Sequence, residues 1–584
     1  MKKIEKKIII VFYFLISSHI FSQSISHGPV VGGVTESEFK IFVRSTDAVN
    51  VEVKASTDPN FNNPISVLSS IDFQKDSSTI ITFSGLQPNS TYYYQVLLDG
   101  TNVFNNEITT FPPDGQPGNY VFGVGSCVSH LHSQEIMNVV RTHNPLLFIY
   151  TGDWGYPDYL YGNSSNLFPS VSRAIESSYH DRYSDPYAKP LLSCTPIDYM
   201  YDDHDFVKDN CSGTSYSSVY YNPSSQHTEL NEVPYASSVK RSTVVGYSNY
   251  FPHYDLPDTS NGVYHSYKMG NAEFFVLDVR YSRTPNTNCF VQDSVGDWVF
   301  SPDSTHTMLG TSQKTWLKQA LLNSTADWKF IISPVTYNKS FYQLMNLMVF
   351  LQDYNLNYNG NTIDGMYLAG VFSDTWTGFP HDREWLYGTC VDNNIDNVII
   401  ISGDSHSSAI DDGTNSGFPE LMAANLAQQN SRIAFYIDSI YGNSLFNAGG
   451  QGLGNNNFNY TFGKVEIFGS DSCQLSLIDQ YDTQVASHTI LGNPTSSNPN
   501  FENKLDLKLY PNPAKDMISL IYPEKFEGLL QLFNSYGELV KELDVNFRNR
   551  LDIEINSLDM GLYFFRLKKN KNSSYTSRYF IVLD

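Results

Sequence analysis

Four short apolar runs in the middle of the chain are each followed directly by side chains that can bind a metal ion. The runs have the length and composition of strands that are buried on both faces. Because the carboxyl ends of such strands gather at one edge of a layered α/β domain, we expect the four sets of side chains to converge there. The runs and the residues after them are Tyr120–Val124 with Gly125-Ser-Cys127, Leu146–Tyr150 with Gly152-Asp-Trp-Gly-Tyr156, Ile197–Tyr201 with Asp202-Asp-His-Asp205, and Val398–Ile401 with Ser402-Gly-Asp-Ser-His406.

The region from 119 to 490 alternates strand-like runs with helical stretches and long polar loops. A further apolar run, Phe274–Leu277, fits this pattern, and so do helical segments at Ser312–Leu322 and Asp382–Leu386. Such alternation predicts the α/β fold class, with a layered β-sandwich core.

The region before this core has the pattern of a small β-sandwich. Phe39–Val43 and Val49–Val53 alternate between apolar and polar residues, as half-buried strands do. The segment Gly85-Leu-Gln-Pro-Asn-Ser-Thr-Tyr-Tyr-Tyr94 resembles the signature of fibronectin type III domains, in which a leucine and a tyrosine fix one corner of the sandwich. We therefore predict a fibronectin III-like domain over residues 25–115.

The region after the core begins with a stretch rich in Ser, Asn and Pro, 493–504, which is typical of a linker. Residues 505–584 then contain Leu509-Tyr-Pro-Asn-Pro-Ala514 and Gly561-Leu-Tyr-Phe-Phe-Arg566. These motifs resemble the C-terminal sorting domain of the type IX secretion system, which would be a second small β-sandwich. The resemblance implies export across the outer membrane by that machinery, followed by surface attachment or by removal of the domain.

The first residues have the order of a secretory signal peptide. Lysines between Lys2 and Lys7 precede an unbroken apolar run, Ile8–Ile16, and small or polar residues follow. This order predicts a signal peptide over residues 1–24, with an N-terminal membrane anchor as the alternative. The run is too short to cross a bilayer, and later apolar stretches are shorter than a transmembrane helix needs. We expect an exported protein that is secreted or attached to the outer surface.

The charge of the chain excludes one class of partner. Its 60 acidic and 37 basic residues give a formal net charge of −23 over 584 residues. A chain this acidic repels a phosphate backbone, so we expect no binding to nucleic acid. Acidic side chains instead bind hard cations or keep an extracellular protein in solution.

Six cysteines are present, and export would permit disulfide bonds between them. Their connectivity cannot be read from the sequence, and Cys194–Cys211 and Cys289–Cys390 are only two candidate pairs. If Cys127 has another role, five cysteines remain and at least one of them is unpaired.

Each strand-end motif has an ordinary structural interpretation when it is considered alone. Cys127 could be a buried thiol or half of a disulfide, Asp153 could cap a turn, and His406 could be a core histidine. Residues 202–205 could form a solvated acidic loop. Four such motifs in one domain favour a common metal site instead.

The motifs together, in this order, resemble the PhoD-like alkaline phosphatases of the metallophosphoesterase superfamily. Two further segments, Leu277-Asp-Val-Arg280 and Asp374-Thr-Trp-Thr-Gly378, add to the resemblance, which covers about residues 119–406. It implies a secreted enzyme that hydrolyses small phosphate esters with an iron(III) ion, Fe³⁺, beside one or two calcium ions, Ca²⁺.

The resemblance also implies which side chains hold the metals. A thiolate and a phenolate are strong anionic donors that suit iron(III), and carboxylates suit calcium. The implied iron ligands are Cys127, Asp153, Tyr156 and His406, and the second metal would share Asp153 and add Asp203 and Asp404.

Two more residues are assigned to catalysis and substrate binding. The metals would neutralise the phosphoryl oxygens and lower the pKa of a bound water from about 15.7 to near 7. His204 follows Asp203, as the acid histidine does in related metallophosphoesterases, and would act as general acid or stabilise the transition state. Arg280 would hold a phosphate oxygen with two hydrogen bonds. The alternatives for Arg280 are a structural pair with Asp278 and exposure to solvent.

The sequence departs from the family after the acidic motif. Related proteins carry an asparagine a few residues on, whereas this chain has Asp209 followed by Asn210. Either the register moves by one, which makes Asn210 a substrate-binding residue, or Asp209 replaces the asparagine. An added carboxylate would favour cations and disfavour a dianionic phosphate.

The sequence does not separate phosphate monoesters from diesters. Two loop-rich stretches, 210–258 and 337–367, are expected to shape the pocket. The alternative function is a surface adhesin or glycan-binding protein that keeps the fold without activity. A chemically competent residue at every proposed ligand position argues against that alternative.

Overall fold

The computed structural model describes residues 23–129, 133–160, 171–225, 227–353, 356–358, 361–428, 445–451, 459–492, 508–510, 514–534, 539–558, 561–569 and 575–582. The predicted linker 493–504 lies outside these residues, and so does the predicted signal peptide except for Gln23 and Ser24. Among the described helices, none combines the length and the apolar composition that crossing a membrane requires.

The N-terminal region consists of strands joined by turns. They are β1 (His27–Gly32), β2 (Glu38–Arg44), β3 (Asn50–Ser56), β4 (Ile65–Ser70), β5 (Ser78–Ser84), β6 (Thr91–Leu98) and β7 (Thr101–Thr109).

The central region alternates strands with helices. Its strands are β8 (Asn119–Gly125), β9 (Leu147–Thr151), β10 (Ile197–Met200), β11 (Ser215–Asn222), β12 (His227–Pro234), β13 (His265–Met269), β14 (Ala272–Val276), β15 (Phe290–Gln292), β16 (Trp298–Phe300), β17 (Trp328–Ser333), β18 (Leu356–Tyr358), β19 (Asn361–Ile363), β20 (Val398–Ser402), β21 (Ser408–Asp411), β22 (Glu420–Ala423), β23 (Gly450–Gln451), β24 (Thr461–Phe468), β25 (Ser472–Asp479) and β26 (Gln484–Leu491). Its helices are α1 (Ile136–Thr142), α2 (Pro157–Leu160), α3 (Val171–Ser184), α4 (Ala188–Leu192), α5 (Asp203–Phe206), α6 (Ser237–Tyr250), α7 (Gly310–Asn323), α8 (Ser340–Phe350), α9 (Gly365–Phe372) and α10 (Pro380–Asp392).

Two large sheets pack face to face to form the core. One runs β26-β25-β24-β8-β9-β10-β1-β2-β5 and the other runs β13-β14-β17-β20-β22-β21-β23. Both are mixed: β8, β9, β10 and β1 are parallel in the first sheet, and β14, β17, β20 and β22 are parallel in the second. Phe122 of the first sheet packs against Phe274 and Phe330 of the second, with ring centroids 5.1 and 4.9 Å apart. This arrangement confirms the α/β prediction with layered sheets.

The four apolar runs are strands, as predicted. They correspond to β8, β9, β10 and β20, and every residue of β9, β10 and β20 is buried. The two predicted helical segments belong to longer helices, α7 and α10. Helix α10 begins at Pro380, whose fixed φ suits the first helical position.

The N-terminal region differs from the expected separate sandwich. Strands β3, β4, β6 and β7 form a sheet of their own, but β1, β2 and β5 belong to the large central sheet. The connection is a parallel pairing of β1 with β10, at Gly32 opposite Ile197. Val30 and Val31 of β1 are buried, so an unpaired β1 edge would expose apolar residues and open hydrogen-bonding groups.

The C-terminal region is antiparallel throughout its described part. Its strands are β27 (Lys508–Tyr510), β28 (Met517–Asn534), β29 (Leu539–Glu554), β30 (Gly561–Lys569) and β31 (Tyr575–Val582). They form one hydrogen-bonded sheet around a core that includes Ile518, Leu520 and Leu530. The predicted sandwich is therefore not confirmed as two separate sheets.

The two candidate disulfides are wrong, because all six cysteines carry free thiols. Cys289 packs in a core cluster with α8, whereas Cys390 packs in a different cluster beside α7. Cys194 Sγ contacts Pro190 O at 3.2 Å, and Cys211 Sγ contacts Asp203 O at 3.5 Å. Each thiol is accommodated where it lies without a sulfur partner.

Candidate metal centre

The predicted ligands follow four parallel strands at the same edge of the two packed sheets. Cys127 follows β8, Asp153 follows β9, Asp203 follows β10, and Asp404 and His406 follow β20. Four of these residues adopt left-handed backbone angles, with φ of +60° at Cys127, +52° at Asp153, +68° at Asp404 and +49° at His406. Such angles are costly for residues other than glycine and concentrate at functional sites.

The structure brings the predicted ligands into one continuous cluster. Three overlapping groups have ligand atoms that lie within 4.8 Å of one another. Asp153 belongs to two of these groups and Asp203 belongs to two. Tyr156 joins the cluster through its hydroxyl, which donates to Asp153 Oδ2 at 3.2 Å. The groups are Cys127 with Asp153 and His406, Asp153 with Asp203 and His204, and Asp202 with Asp203 and Asp404.

Asp153 lies at the middle of the cluster and is buried. Its Oδ2 accepts from Cys127 Sγ at 3.8 Å as well as from Tyr156, and its Oδ1 has no hydrogen-bond partner among the described residues. Burial and the neighbouring Asp203 charge hold the pKa of Asp153 well above its usual value. Burial and the charges of Asp202 and Asp203 likewise raise the pKa of Asp404 well above its usual value. Negative charge is therefore concentrated here, and a bound cation would relieve it.

The thiol of Cys127 responds to the same environment. Burial raises its pKa well above the usual value, and the carboxylates of Asp153 and Asp404 raise it further. A metal ion bound to this thiol would favour its thiolate form.

Asp203 is held ionised by its surroundings. Its Oδ1 accepts from the His204 backbone N–H at 2.7 Å, and its Oδ2 accepts from the Asn210 backbone N–H at 2.6 Å. Burial raises the pKa of Asp203, but the Arg280 charge, His204 and these two N–H groups lower it to about 2. Asp203 thus offers a permanent negative charge to a cation.

His204 is oriented by a carboxylate that sequence analysis missed. Its Nδ1 lies 2.8 Å from Asp158 Oδ2, and its ring lies 4.4 Å from the Tyr156 ring. Burial lowers the pKa of His204, but Asp203, Asp153 and Asp158 together hold it well above its usual value. Asp158 comes five residues after Asp153, at the start of α2, and this spacing after the Gly-Asp motif was the only local signal.

Asp205 fixes the two loops that carry the predicted ligands Asp153, Tyr156 and Asp203. Its Oδ2 accepts from the backbone N–H groups of Trp154 at 3.1 Å and Asp202 at 3.3 Å. Its Oδ1 accepts from Arg182 Nη2 at 2.5 Å. The fourth residue of the acidic motif is therefore a structural anchor.

Arg280 lies among three carboxylates of the acidic cluster and its surroundings. Its buried guanidinium donates from Nη1 and Nη2 to the two oxygens of Asp374, both at 2.8 Å, and from Nε to Asp202 at 2.5 Å. All three nitrogens contact carboxylates in this structure, and binding of a phosphate oxygen by Arg280 stays a prediction. The contact between Arg280 and Asp278 uses the Arg280 backbone N–H, which donates to Asp278 Oδ1 at 3.0 Å, whereas the Arg280 guanidinium binds other carboxylates. Asp374 lies in one of the motifs noted in the sequence, but its partner Arg280 comes 94 residues earlier in the chain.

Asn210 contributes through its backbone. It adopts a left-handed φ of +56°, which brings its N–H to Asp203. Its side-chain Nδ2 donates to Asp209 Oδ1 at 2.9 Å. The side chain of Asp209 is exposed, and its Oδ1 lies 3.8 Å from His204 Nε2. Substrate binding by the Asn210 side chain stays a prediction.

Comparisons with known proteins assign three parts of the chain. The profile of the family described as PhoD-like phosphatase matches residues 122–451. The profile described as Secretion system C-terminal sorting domain matches residues 508–582, and Domain of unknown function (DUF7800) matches residues 22–116.

Two relatives show how far the similarity extends. Alkaline phosphatase D of Bacillus subtilis (strain 168) is 25% identical over 350 residues, which cover 57% of this chain and 53% of that protein. The chain thus matches about half the length of this curated relative. The solved structure "Structure of PhoD" has a TM-score of 0.61 at 17% identity and covers 81% of this chain and 92% of that chain. At this identity the likeness shows the fold alone.

The comparisons decide two predictions about the flanking regions. The type IX sorting domain is confirmed, and the protein is secreted or held at the cell surface. The fibronectin III-like domain is not confirmed, because the profile that matches the N-terminal region describes a domain of unknown function.

Proposed function

Because the chain belongs to the PhoD-like phosphatase family, we propose that it is a metal-dependent phosphoesterase that hydrolyses phosphate mono- or diesters outside the cell. One observation carries this proposal. A thiol, a phenol, imidazoles and carboxylates meet at one edge of the packed sheets, around a buried Asp153 whose Oδ1 has no partner in the described part of the chain.

The donor set fits the proposed metals. Iron(III) would be held by Cys127, Asp153, Tyr156 and His406, and calcium by Asp153, Asp203 and Asp404. The raised pKa values of Cys127, Asp153 and Asp404 support this fit, since bound cations would favour their charged forms. When bound there, the metals would neutralise the negative charge of the phosphoryl group and lower the pKa of a bound water.

The chain's own residues contribute proton transfer and orientation. His204 is the proposed proton donor to the leaving oxygen of the ester. Asp158 accepts from His204 Nδ1, which keeps a proton on that nitrogen and directs Nε2 away from it. Arg280 holds Asp202 and Asp374 in place and, at 3.9 Å, helps to keep Asp203 ionised.

The remaining segment assignments are part of the proposal. Residues 1–24 are the signal peptide, 25–115 a fibronectin III-like domain, 119–490 the catalytic domain, 493–504 a linker and 505–584 the sorting domain. The substrate is a small phosphate ester, and the export partner is the type IX secretion machinery.

The test measures metal content and activity on the same preparation. The full chain should contain iron and calcium, and should hydrolyse p-nitrophenyl phosphate or bis(p-nitrophenyl) phosphate. A bond between Tyr156 and iron(III) should give a visible absorption band that Tyr156→Phe abolishes. The matched control is Tyr481→Phe, at an exposed tyrosine outside the cluster, which should leave the band unchanged. A folded, metal-free and inactive protein would contradict the proposal.

A further inference from the structure

An exposed carboxylate, Asp209, lies next to the proposed proton donor. It belongs to the turn after α5, and 62% of its side chain is exposed, compared with 9% for His204. Its Oδ1 lies 3.8 Å from Nε2 of His204. A leaving oxygen that accepts a hydrogen bond of about 2.8 Å from Nε2 would therefore lie within about 7 Å of Asp209. The carboxylate is thus close enough to act on the charge of a bound ester.

The charge of Asp209 is not balanced by a cation of its own. In the described part of the chain, no arginine or lysine nitrogen lies within 4.0 Å of its carboxylate. Its ion-pair partner is His204, but the other nitrogen of that ring lies 2.8 Å from Asp158 Oδ2. Since Asp158 alone balances a protonated His204, Asp209 adds a surplus negative charge at the exposed side of the metal centre.

The arginines around the centre lie deeper than this carboxylate and already contact other acids. Arg280 and Arg283 share Asp374, at 2.8 and 3.4 Å. Arg182 contacts Asp205. All three arginines are buried. An anion that approaches from solvent therefore meets a carboxylate before it meets an arginine.

The two classes of ester in the proposed function differ in charge. Well above its second pKa of about 6, a phosphate monoester has three oxygens that share two negative charges. A diester has two such oxygens and one negative charge. Asp209 repels the additional charge of the monoester, and over about 7 Å through largely solvated surroundings this repulsion weakens binding by a factor of roughly 3–8.

We propose that Asp209 is a specificity-determining residue that makes the site favour phosphate diesters, which are monoanions, over phosphate monoesters, which are dianions. The inference rests on the proposed function and narrows its substrate class. Because the repulsion acts on the bound dianion before the reaction as well as during it, Asp209 affects KM rather than kcat.

Calorimetry on the full chain measures the charge preference without turnover. At about pH 8, inorganic phosphate is mainly a dianion and dimethyl phosphate is a monoanion. Asp209→Asn should tighten binding of inorganic phosphate about fivefold and change that of dimethyl phosphate by less than about twofold. Asp209→Glu keeps the charge and should keep the wild-type ratio of affinities. Asp255→Asn removes the same charge at another exposed carboxylate and is the matched control, which should leave both affinities unchanged.

Steady-state kinetics applies the same comparison to the reaction. Asp209→Asn should lower the KM of p-nitrophenyl phosphate about fivefold relative to that of bis(p-nitrophenyl) phosphate, with kcat for both esters within about twofold of the wild type. Asp209→Ser, which also removes the charge, should give the same ratio and replaces Asp209→Asn if that variant fails to fold.

An unchanged affinity for inorganic phosphate, or an unchanged KM ratio in an active enzyme, would overturn the proposal. An equal change in kcat for both esters with the same KM ratio would also overturn it, since Asp209 would then act only on His204. If the wild type hydrolyses neither ester while phosphate binding responds to Asp209→Asn as expected, the proposed function fails and the role of Asp209 in selecting by charge stands.

Discussion

Two buried charged regions lie side by side behind the carboxyl ends of the strands, and they are balanced differently. In the metal centre, Asp153 and Asp404 are crowded by other carboxylates, and their pKa values are raised. In the neighbouring network, Arg280 is bound by Asp374 and Asp202. The regions share Asp202, and they also touch where Arg280 Nη2 lies 3.9 Å from Asp203. The metal centre requires a cation from outside the chain. The neighbouring network already contains a cation, the guanidinium of Arg280.

The contrast predicts that neutralising a carboxylate in the metal centre harms activity but not folding. Asp153→Asn should lower kcat/KM on the order of 10⁴-fold, or about 5.4 kcal/mol, because the proposed shared ligand is lost. In metal-stripped protein the same change should raise the melting temperature, since it removes one of several mutually repelling carboxylates. Asp255→Asn, at an exposed carboxylate, is the control for both measurements. A lower melting temperature in the stripped variant would contradict the picture of an overcrowded acidic cluster.

The arginine network should show the opposite pattern. Arg280→Met leaves Asp202 buried without this cation and leaves Asp374 with Arg283 as its remaining arginine, so the free energy of unfolding should fall by about 3–5 kcal/mol. Urea denaturation of metal-stripped protein measures this without interference from metal binding. Arg241→Met, at an exposed arginine that donates to Thr259 O, should cost far less. Equal losses at the two positions would remove the distinction between the regions.

Asp158 acts at the border of the metal centre by orienting His204. Asp158→Asn should lower kcat about 10–100-fold with little change in KM, as loss of an orienting carboxylate does at other sites. The loss should be larger for alkyl phosphates than for p-nitrophenyl phosphate, because poor leaving groups depend more on a proton donor. Asp209→Asn, whose carboxylate is 3.8 Å from the other ring nitrogen, should have a smaller effect. A loss that is uniform across leaving groups would mean that Asp158 serves only the fold.

The smallest predicted effect concerns a histidine at the edge of the arginine network. Burial and the nearby Arg283 charge lower the pKa of His306 from 6.5 to about 4, against weaker attraction from Asp303 and Asp382. Between pH 6.5 and pH 4 the unfolded chain therefore binds a proton that the folded chain does not, and stability falls as the pH falls. His306→Gln should flatten the melting temperature over this range compared with the wild type. An unchanged pH dependence would show that the network tolerates added positive charge.

Local pattern was enough to predict which side chains gather in one cluster, but not the partners that hold them. Cys127, Asp153, Asp203, Asp404 and His406 each follow an apolar run, and the order of strands in a layered sheet brings such positions together. The contact between Arg280 and Asp374 was not predicted, because the two residues are distant in sequence and nothing local couples them. Asp158 was missed for a related reason, since a single carboxylate in a turn has no periodic signal.

The joining of the N-terminal region to the central sheet was not predicted, because strand pairing is a long-range property. Alternation predicted strands at β2 and β3 correctly. The short β1, with Gly28 and Pro29 in it, gave no sign that it would pair with β10, more than 160 residues later.

That pairing limits how the protein can be shortened. A truncated version that starts at residue 119 would lose β1, β2 and β5 from the central sheet and leave the β10 edge bare. Its uncovered backbone would recruit strands from other copies, so such a fragment is expected to precipitate before its catalysis can be measured. Strands β1, β2 and β5 are thus part of the sheet that carries the candidate site, so a shortened version of the protein should begin before His27.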